Sequence, residues 1–212
     1  MIALLRQIRS GSDASYVLER DGQTRCTAEV PFSIAAPEIT LFRRQEPWLK
    51  ITPNLGDSVK KMVRNGSWRT VPCDITDANG AQIGTLAKIR EGTFLSSNYY
   101  TELRIGGRVL QIYEVGLGKE GMRYPVYEDG VQLSQVEKEP VVLDNLDVYS
   151  LCSLDDFGEL AALLFAMFLD FHSYRNAGER TRGKKSFQYV YTRRKEILSK
   201  YDPDFRSRCE IH

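Results

Sequence analysis

Ten consecutive residues, Leu160 to Leu169 (LAALLFAMFL), carry no polar side chain. A helix on a protein surface leaves a polar stripe at every turn; here positions one, three and four apart are all apolar, so no face is left for water. Ten helical residues rise about 15 Å, half the hydrocarbon core of a bilayer, so the stretch is too short to span one. It therefore predicts a helix surrounded by protein on all sides, within Ser153 to Arg175. Ser153 is expected to cap its first turn, and Asp155 and Asp156 suit the positive end of the helix dipole. Ala161, Ala162 and Ala166 would let neighbouring backbone come close.

What surrounds such a helix is read from the residues before it. Ser15 to Arg20 alternates, Asp21-Gly22 is a hairpin turn, and Gln23 to Val30 returns. Glu38 to Arg44 and Trp48 to Thr52 are further strand candidates, split by Pro47. Val71 to Thr76 and Ala81 to Ile89 flank the turn Asp77 to Gly80. Tyr99 to Ile105 and Arg108 to Val115 flank Gly106-Gly107, and Met122 to Glu128 and Val131 to Glu137 flank Asp129-Gly130. Val141 to Leu151 holds one or two strands leading into the helix. Serial antiparallel hairpins indicate a sandwich or a barrel. A sandwich fills its core with its own side chains, whereas a closed barrel has room for an all-round apolar helix and also removes exposed strand edges. The expected class is mainly β: a closed antiparallel barrel enclosing a hydrophobic helix, followed by a C-terminal extension.

Residues 1–175 form the expected barrel domain, with the helix at 153–175, and residues 176–212 the extension. Asn176 to Lys185 (NAGERTRGKK) is polar, glycine-bearing and basic, as a linker is. Phe187 to Tyr201 carries aromatics and TRRKEILSK, which suits a short helix ended by Pro203. Phe187, Tyr189, Tyr191, Ile197 and Leu198 are expected to dock on the barrel wall.

The hairpins DITDANGAQIGTLAKI (Asp74 to Ile89) and ELRIGGRVLQIYEV (Glu102 to Val115), with Leu143 to Arg175, resemble the tubby C-terminal-like superfamily. That group includes tubby proteins, phospholipid scramblases and the LURP-one-related proteins. The resemblance covers residues 1–175 and implies a barrel of about twelve strands around a hydrophobic helix near the end of the domain. In such families the helix commonly closes the chain, whereas here some three dozen residues follow it, and the family implies nothing about them.

Bulk properties narrow the partners. A chain of 212 residues with 42% hydrophobic content can build one sizeable core. A net charge of +1 gives no global attraction to nucleic acid or anionic membranes, so such a partner needs a local patch, and no nucleic acid is predicted. The first ten residues have too short an apolar run for a signal peptide, and Arg6 and Arg9 follow it. Scattered Cys26, Cys73, Cys152 and Cys209, with no CxxC pair, read as free thiols of a cytoplasmic protein.

The motifs that would carry chemistry fail on inspection. His172 sits past the apolar run, two residues from Asp170 and so on another face of the helix, which reads as a rim or core histidine. His212 is the only other histidine. Gly116 to Gly121 matches GxGxxG, but Met122 to Gly130 reads as a strand with Pro125, not the helix a dinucleotide site needs. Asp77, Asn79 and Gly80 mimic a calcium loop, yet Leu86 stands where its acid belongs. The acids Asp144 and Asp147 are a candidate cation pair, as are Asp155, Asp156 and Glu159, which also read as helix-start charge. No cofactor, catalytic residue or metal site is expected, and an enzyme or small-molecule binder is the weaker reading.

Lys60 to Arg69 is the informative polar stretch. It holds Lys60, Lys61, Arg64 and Arg69 with Trp68 and no acid. One reading seats it at an anionic lipid headgroup layer, at about 1 kcal/mol per base, making the chain peripheral to the membrane. The other is a solvated loop with Trp68 packed into the barrel wall. Arg43 and Arg44 would extend the patch or be ordinary surface, and Arg193, Arg194 and Lys195 are similar. The function expected is a non-enzymatic cytoplasmic barrel binding anionic phospholipid; the alternative is an interaction or structural module with a protein partner.

Overall fold

A computed structural model describes residues 1–10, 13–31, 38–54, 71–93, 96–144, 146–174, 183 and 185–211. Five antiparallel strands come first: β1 (Ile2–Arg9), β2 (Ala14–Arg20), β3 (Gln23–Val30), β4 (Ile39–Arg43) and β5 (Glu46–Pro53). Four more follow as two hairpins, β6 (Cys73–Asp77) with β7 (Gln82–Thr93), and β8 (Ser96–Ile105) with β9 (Arg108–Tyr113). Then come the short β10 (Val115–Gly116), the hairpin β11 (Met122–Glu128) and β12 (Val131–Lys138), then β13 (Val141–Leu143) and β14 (Val148–Ser153).

Twelve of these strands close into a ring. Each of β1 to β8 pairs with its successor; β9 pairs with β11, β11 with β12, β12 with β14, and β14 returns to β1. The chain thus builds a mainly β protein on a closed antiparallel barrel of twelve strands. The closing pair is short, Val126 opposite Ile112 and Tyr127 opposite Gln111.

The turns follow from local chemistry. Asp21-Gly22 and Asp129-Gly130 both place two residues at positive φ, as two-residue hairpins require. The β4–β5 turn falls on Arg44-Gln45, both at positive φ, and Pro47 lies inside β5 at a register shift. Proline interrupts a ladder least at such an irregularity, so it does not split the strands as its presence in sequence suggests.

Helix α1 spans Asp156–Leu169 and continues into a π-helical turn, Asp170–Tyr174. Asp155 caps it, accepting a 2.7 Å hydrogen bond from Gly158 N. Ser153, expected as the cap, belongs to β14 and is buried. Gly158 is required where α1 passes β12: a Cβ there would lie 2.9 Å from the Leu133 carbonyl oxygen. Residues Ala161 to Leu169 are all buried. They belong to one core to which every ring strand contributes, among them Leu5, Leu41, Ile75, Leu103, Ile112 and Val136. Full burial of each large side chain in this set stabilises by about 1.5–3 kcal/mol.

The described part of the tail packs on this barrel. β15 (Lys185–Phe187) pairs with β13, α2 (Lys195–Leu198) buries Ile197 near Tyr100, Tyr113 and Val115, and α3 (Phe205–Glu210) buries Phe205 and Cys209 against Cys152. Leu198 is half-buried; Phe187 and Tyr189, expected to dock, are exposed, and Tyr191, though largely exposed, forms a β-bridge with Leu117 and lays its ring on Gly118. The short helix expected within Phe187 to Tyr201 is α2, which ends before Pro203; a further short helix, α3, follows it. The glycine-rich loop serves this docking. Gly118 N donates to Val190 O at 2.8 Å, and a Cβ on Gly118 would lie 2.1 Å from the Tyr191 ring.

Candidate functional site

Two ends of the barrel carry polar groups, and they differ in kind. At the end where α1 starts, the β2–β3 and β4–β5 hairpins meet the first turns of the helix around a cleft of about 670 Å³. Alternation along β4 puts Arg43 on the same face as the buried Ile39 and Leu41, so it points into the mouth. Its guanidinium carbon lies 3.7 Å from the centre of the Trp48 ring, and Trp48 in turn packs on the barrel core. Arg25 on β3 and Arg44 in the turn also line the cleft. None of these three arginines forms a hydrogen bond or ion pair with another described residue.

The acids of the same cleft are already engaged. Arg20 Nη1 lies 3.1 Å from Asp156 Oδ1 and 2.9 Å from Glu159 Oε2. Burial works against the Arg20 charge, but the two carboxylates outweigh it and hold its pKa above the ordinary guanidinium value. Thus Asp155, Asp156 and Glu159 are a cap and an ion-pair cluster at the helix start. Among the described residues no group of three or more His, Cys, Asp or Glu is placed to hold a metal ion. Cys26 forms part of the cleft floor; desolvation pushes its thiol up to about 12, only partly opposed by Arg43. Burial thus disfavours the thiolate, the nucleophilic form of this side chain.

At the other end of α1 the polar groups are buried and largely paired with one another, although Asp147 Oδ2 has no hydrogen-bond partner among the described residues. Asp170 accepts from Tyr16 Oη at 2.5 Å and from Tyr149 Oη at 2.6 Å. Lys138 Nζ lies 2.5 Å from Asp147 Oδ1 and 2.8 Å from Gln188 Oε1 on the tail. His172 Nδ1 lies 2.8 Å from the Phe168 carbonyl oxygen, with Phe168 and Phe171 rings packed on it. Of the two acids named as a candidate cation pair, Asp144 accepts from Gly183 N on the tail and Asp147 is paired with Lys138.

The residues singled out for lipid binding, Lys60, Lys61, Arg64, Trp68 and Arg69, lie outside the described residues, as does His212. The cleft arginines are legible in sequence only in part. The pair Arg43-Arg44 stands out, but Arg25 does not; the signal for the cleft is a dibasic pair ending a strand whose alternation runs Ile39, Leu41, Arg43, followed across the turn by a tryptophan. Arg193 is exposed, and Arg194 reaches Asn98 at 2.8 Å, tying the tail to β8.

No helix among the described residues is long and apolar enough to cross a membrane. Comparison with protein-family models, with curated proteins and with solved structures finds no match.

Proposed function

We propose that this chain is a non-enzymatic barrel protein, threaded by α1 and related to the tubby C-terminal-like superfamily, that binds anionic phospholipid headgroups at the mouth where α1 begins. The observation that carries the reading is the cleft with Arg25, Arg43 and Arg44, three cations with no carboxylate of their own among the described residues, one of them stacked on a tryptophan. Arginine suits phosphate because its planar fork donates two parallel hydrogen bonds. The threading rests on the single core shared by α1 and all twelve ring strands. The family step remains analogy, since fold does not fix function. The reading makes the chain a cytoplasmic protein peripheral to the membrane, with Lys60 to Arg69 as a second basic contribution. The non-enzymatic part rests on neutral buried thiols, a carboxylate spent on two tyrosines and a histidine held between aromatic rings.

Sedimentation with neutral and acidic vesicles at two salt concentrations tests it. Binding is expected only with acidic lipid and should fall steeply with salt, because attraction between exposed charges fades beyond about 8 Å at physiological ionic strength. Replacing Arg25, Arg43 and Arg44 together by Gln should abolish the acidic-lipid dependence without moving the unfolding curve. Replacing Lys60, Lys61 and Arg64 by Gln measures the second patch, and Trp68→Ala should weaken binding with less salt dependence.

A second reading has its own observation. Leu143, Phe187, Tyr189, Val190 and Tyr191 are 46–65% exposed around the β13–β15 pair. An apolar strip of that kind suits a protein partner. Absence of binding to either vesicle would remove the lipid reading and leave this one.

A further inference from the structure

Resting on the reading of the mouth as an anion site, we infer that the cleft takes a single-chain amphipathic anion: one carboxylate or phosphate head on one alkyl chain. Its size argues first. About 670 Å³ falls within the roughly 300–1,000 Å³ of pockets that enclose small molecules, and contact with a headgroup at a bilayer surface needs no such recess.

The lining argues second, because it is divided by chemistry. Arg25, Arg43 and Arg44 supply the charged part. Leu18, Leu160 and Leu163, with Phe42 and Trp48, supply the apolar part, and Leu160, Phe42 and Trp48 are only partly buried. A headgroup alone would leave these three side chains against water. An alkyl chain would cover them, which is favourable in proportion to the apolar area removed from water.

The floor argues third. Leu18 and Leu163 are 2% exposed, and the next helix residues, Leu164 and Phe165, are fully buried. The cleft therefore ends blind on the top of the packed core, and the chain must lie within it. The head is placed by Arg43, whose guanidinium is held at 3.7 Å over Trp48 and loses little freedom on binding. Asp156 and Glu159 do not repel the head at full strength, because Arg20 already bridges them.

Calorimetric titration of the full chain tests this, with lysophosphatidic acid and a medium-chain fatty acid below their micelle concentrations. Inorganic phosphate and lysophosphatidylcholine serve as the head-only and neutral-head controls, beside sedimentation with acidic vesicles. The expected result is one site per chain for both anions, with at least tenfold weaker binding of either control. Arg43→Gln should weaken binding about tenfold while the unfolding curve stays unchanged, and Leu160→Gln should weaken it about tenfold in a protein that still unfolds cooperatively. Monoacyl anions binding no more tightly than phosphate, with acidic vesicles still bound, would overturn this inference and leave the headgroup reading standing. Monoacyl binding without vesicle binding would support the cleft ligand and overturn the membrane reading instead.

Discussion

Asp170 and His172 are two residues apart and titrate in opposite senses. Desolvation is the largest influence on Asp170 and the Asp147 charge adds to it; hydrogen bonds from Tyr149 and Tyr16 and the Lys138 charge pull the other way, and the carboxyl is raised from 3.8 to about 6. Its folded-state pKa exceeds its unfolded one, so its contribution to stability is complete below pH 3.8 and is lost as pH rises through about 6. His172 is lowered from 6.5 to about 4, again chiefly by desolvation, despite the Phe168 and Val71 carbonyls that favour its charged form. Its contribution is complete above pH 6.5 and is lost as pH falls through about 4. The two windows overlap, and the two contributions slope in opposite directions across them. Separate substitutions expose each slope. In His172→Asn, unfolding free energy should fall by on the order of 3 kcal/mol as pH rises from about 4 to about 6.5, since a tenfold change in proton affinity is worth about 1.4 kcal/mol. In Asp170→Asn it should rise over the same range. Urea unfolding at four pH values measures both, and parallel profiles in the two variants would contradict the assignment. The role of Asp170 is not readable in sequence, because it depends on Tyr16 and Tyr149, which reach it across 154 and 21 positions.

At the scale of elements, legibility follows how local the determining chemistry is. Asp21-Gly22, Asp77 to Gly80, Gly106-Gly107 and Asp129-Gly130 mark four hairpins, because turn conformation is set by the turn residues themselves. The apolar run fixes α1, because ten side chains without a polar one permit no exposed face. β1 passes unread: its inward residues are Ala3, Leu5 and Gln7, while apolar Ile8 is 58% exposed, so alternation is broken on both faces. β15 passes unread too, since three residues carry no period and its pairing with β13 is a tertiary event. The cap is displaced from Ser153 to Asp155 because β14 continues through Ser153 to pair with Ser134. The cleft is the least legible, since it exists only where two hairpins and the first turns of α1 meet. The helix itself supplies the sharpest element-scale test. Leu164 is fully buried and Phe168 is 4% exposed. Leu164→Asp or Phe168→Asp should prevent folding, because each leaves an unpaired charge in a packed core. Leu164→Ala should instead give a folded protein destabilised by about 2–5 kcal/mol. Soluble expression with a cooperative melt for either aspartate variant would contradict the threaded barrel.

The whole molecule is held together by contacts between its first and last described segments. The Met1 ammonium donates to Ser153 O at 2.9 Å and to Cys209 O on α3. Phe205 and Cys209 close a small core with Cys152, Ile2 and Leu154. Tyr127, in the closing pair of the ring, donates to Lys200 O at 2.8 Å, and the Lys200 ammonium lies 4.8 Å from the Tyr113 ring centre. Arg206 reaches Glu137 at 2.5 Å, a carboxylate that is 5% exposed and has Arg123 as its other cation at 3.7 Å. The tail thus covers the seam where β9 meets β11 and the β14 side of the barrel. Truncation after Asn176 should therefore destabilise the barrel. Uncovering the sites of Ile197 and Phe205 alone removes about 1.5–3 kcal/mol each. At about 2–4 °C per kcal/mol for a chain of this size, the melting temperature should fall by on the order of 10 °C. Phe205→Ala in the full chain should reproduce part of the loss, since emptying an aromatic site costs about 3–5 kcal/mol. Differential scanning calorimetry of parent, truncation and Phe205→Ala decides between a structural tail and an appendage. An unchanged melting temperature in the truncated chain would mean that the barrel closes its own seam.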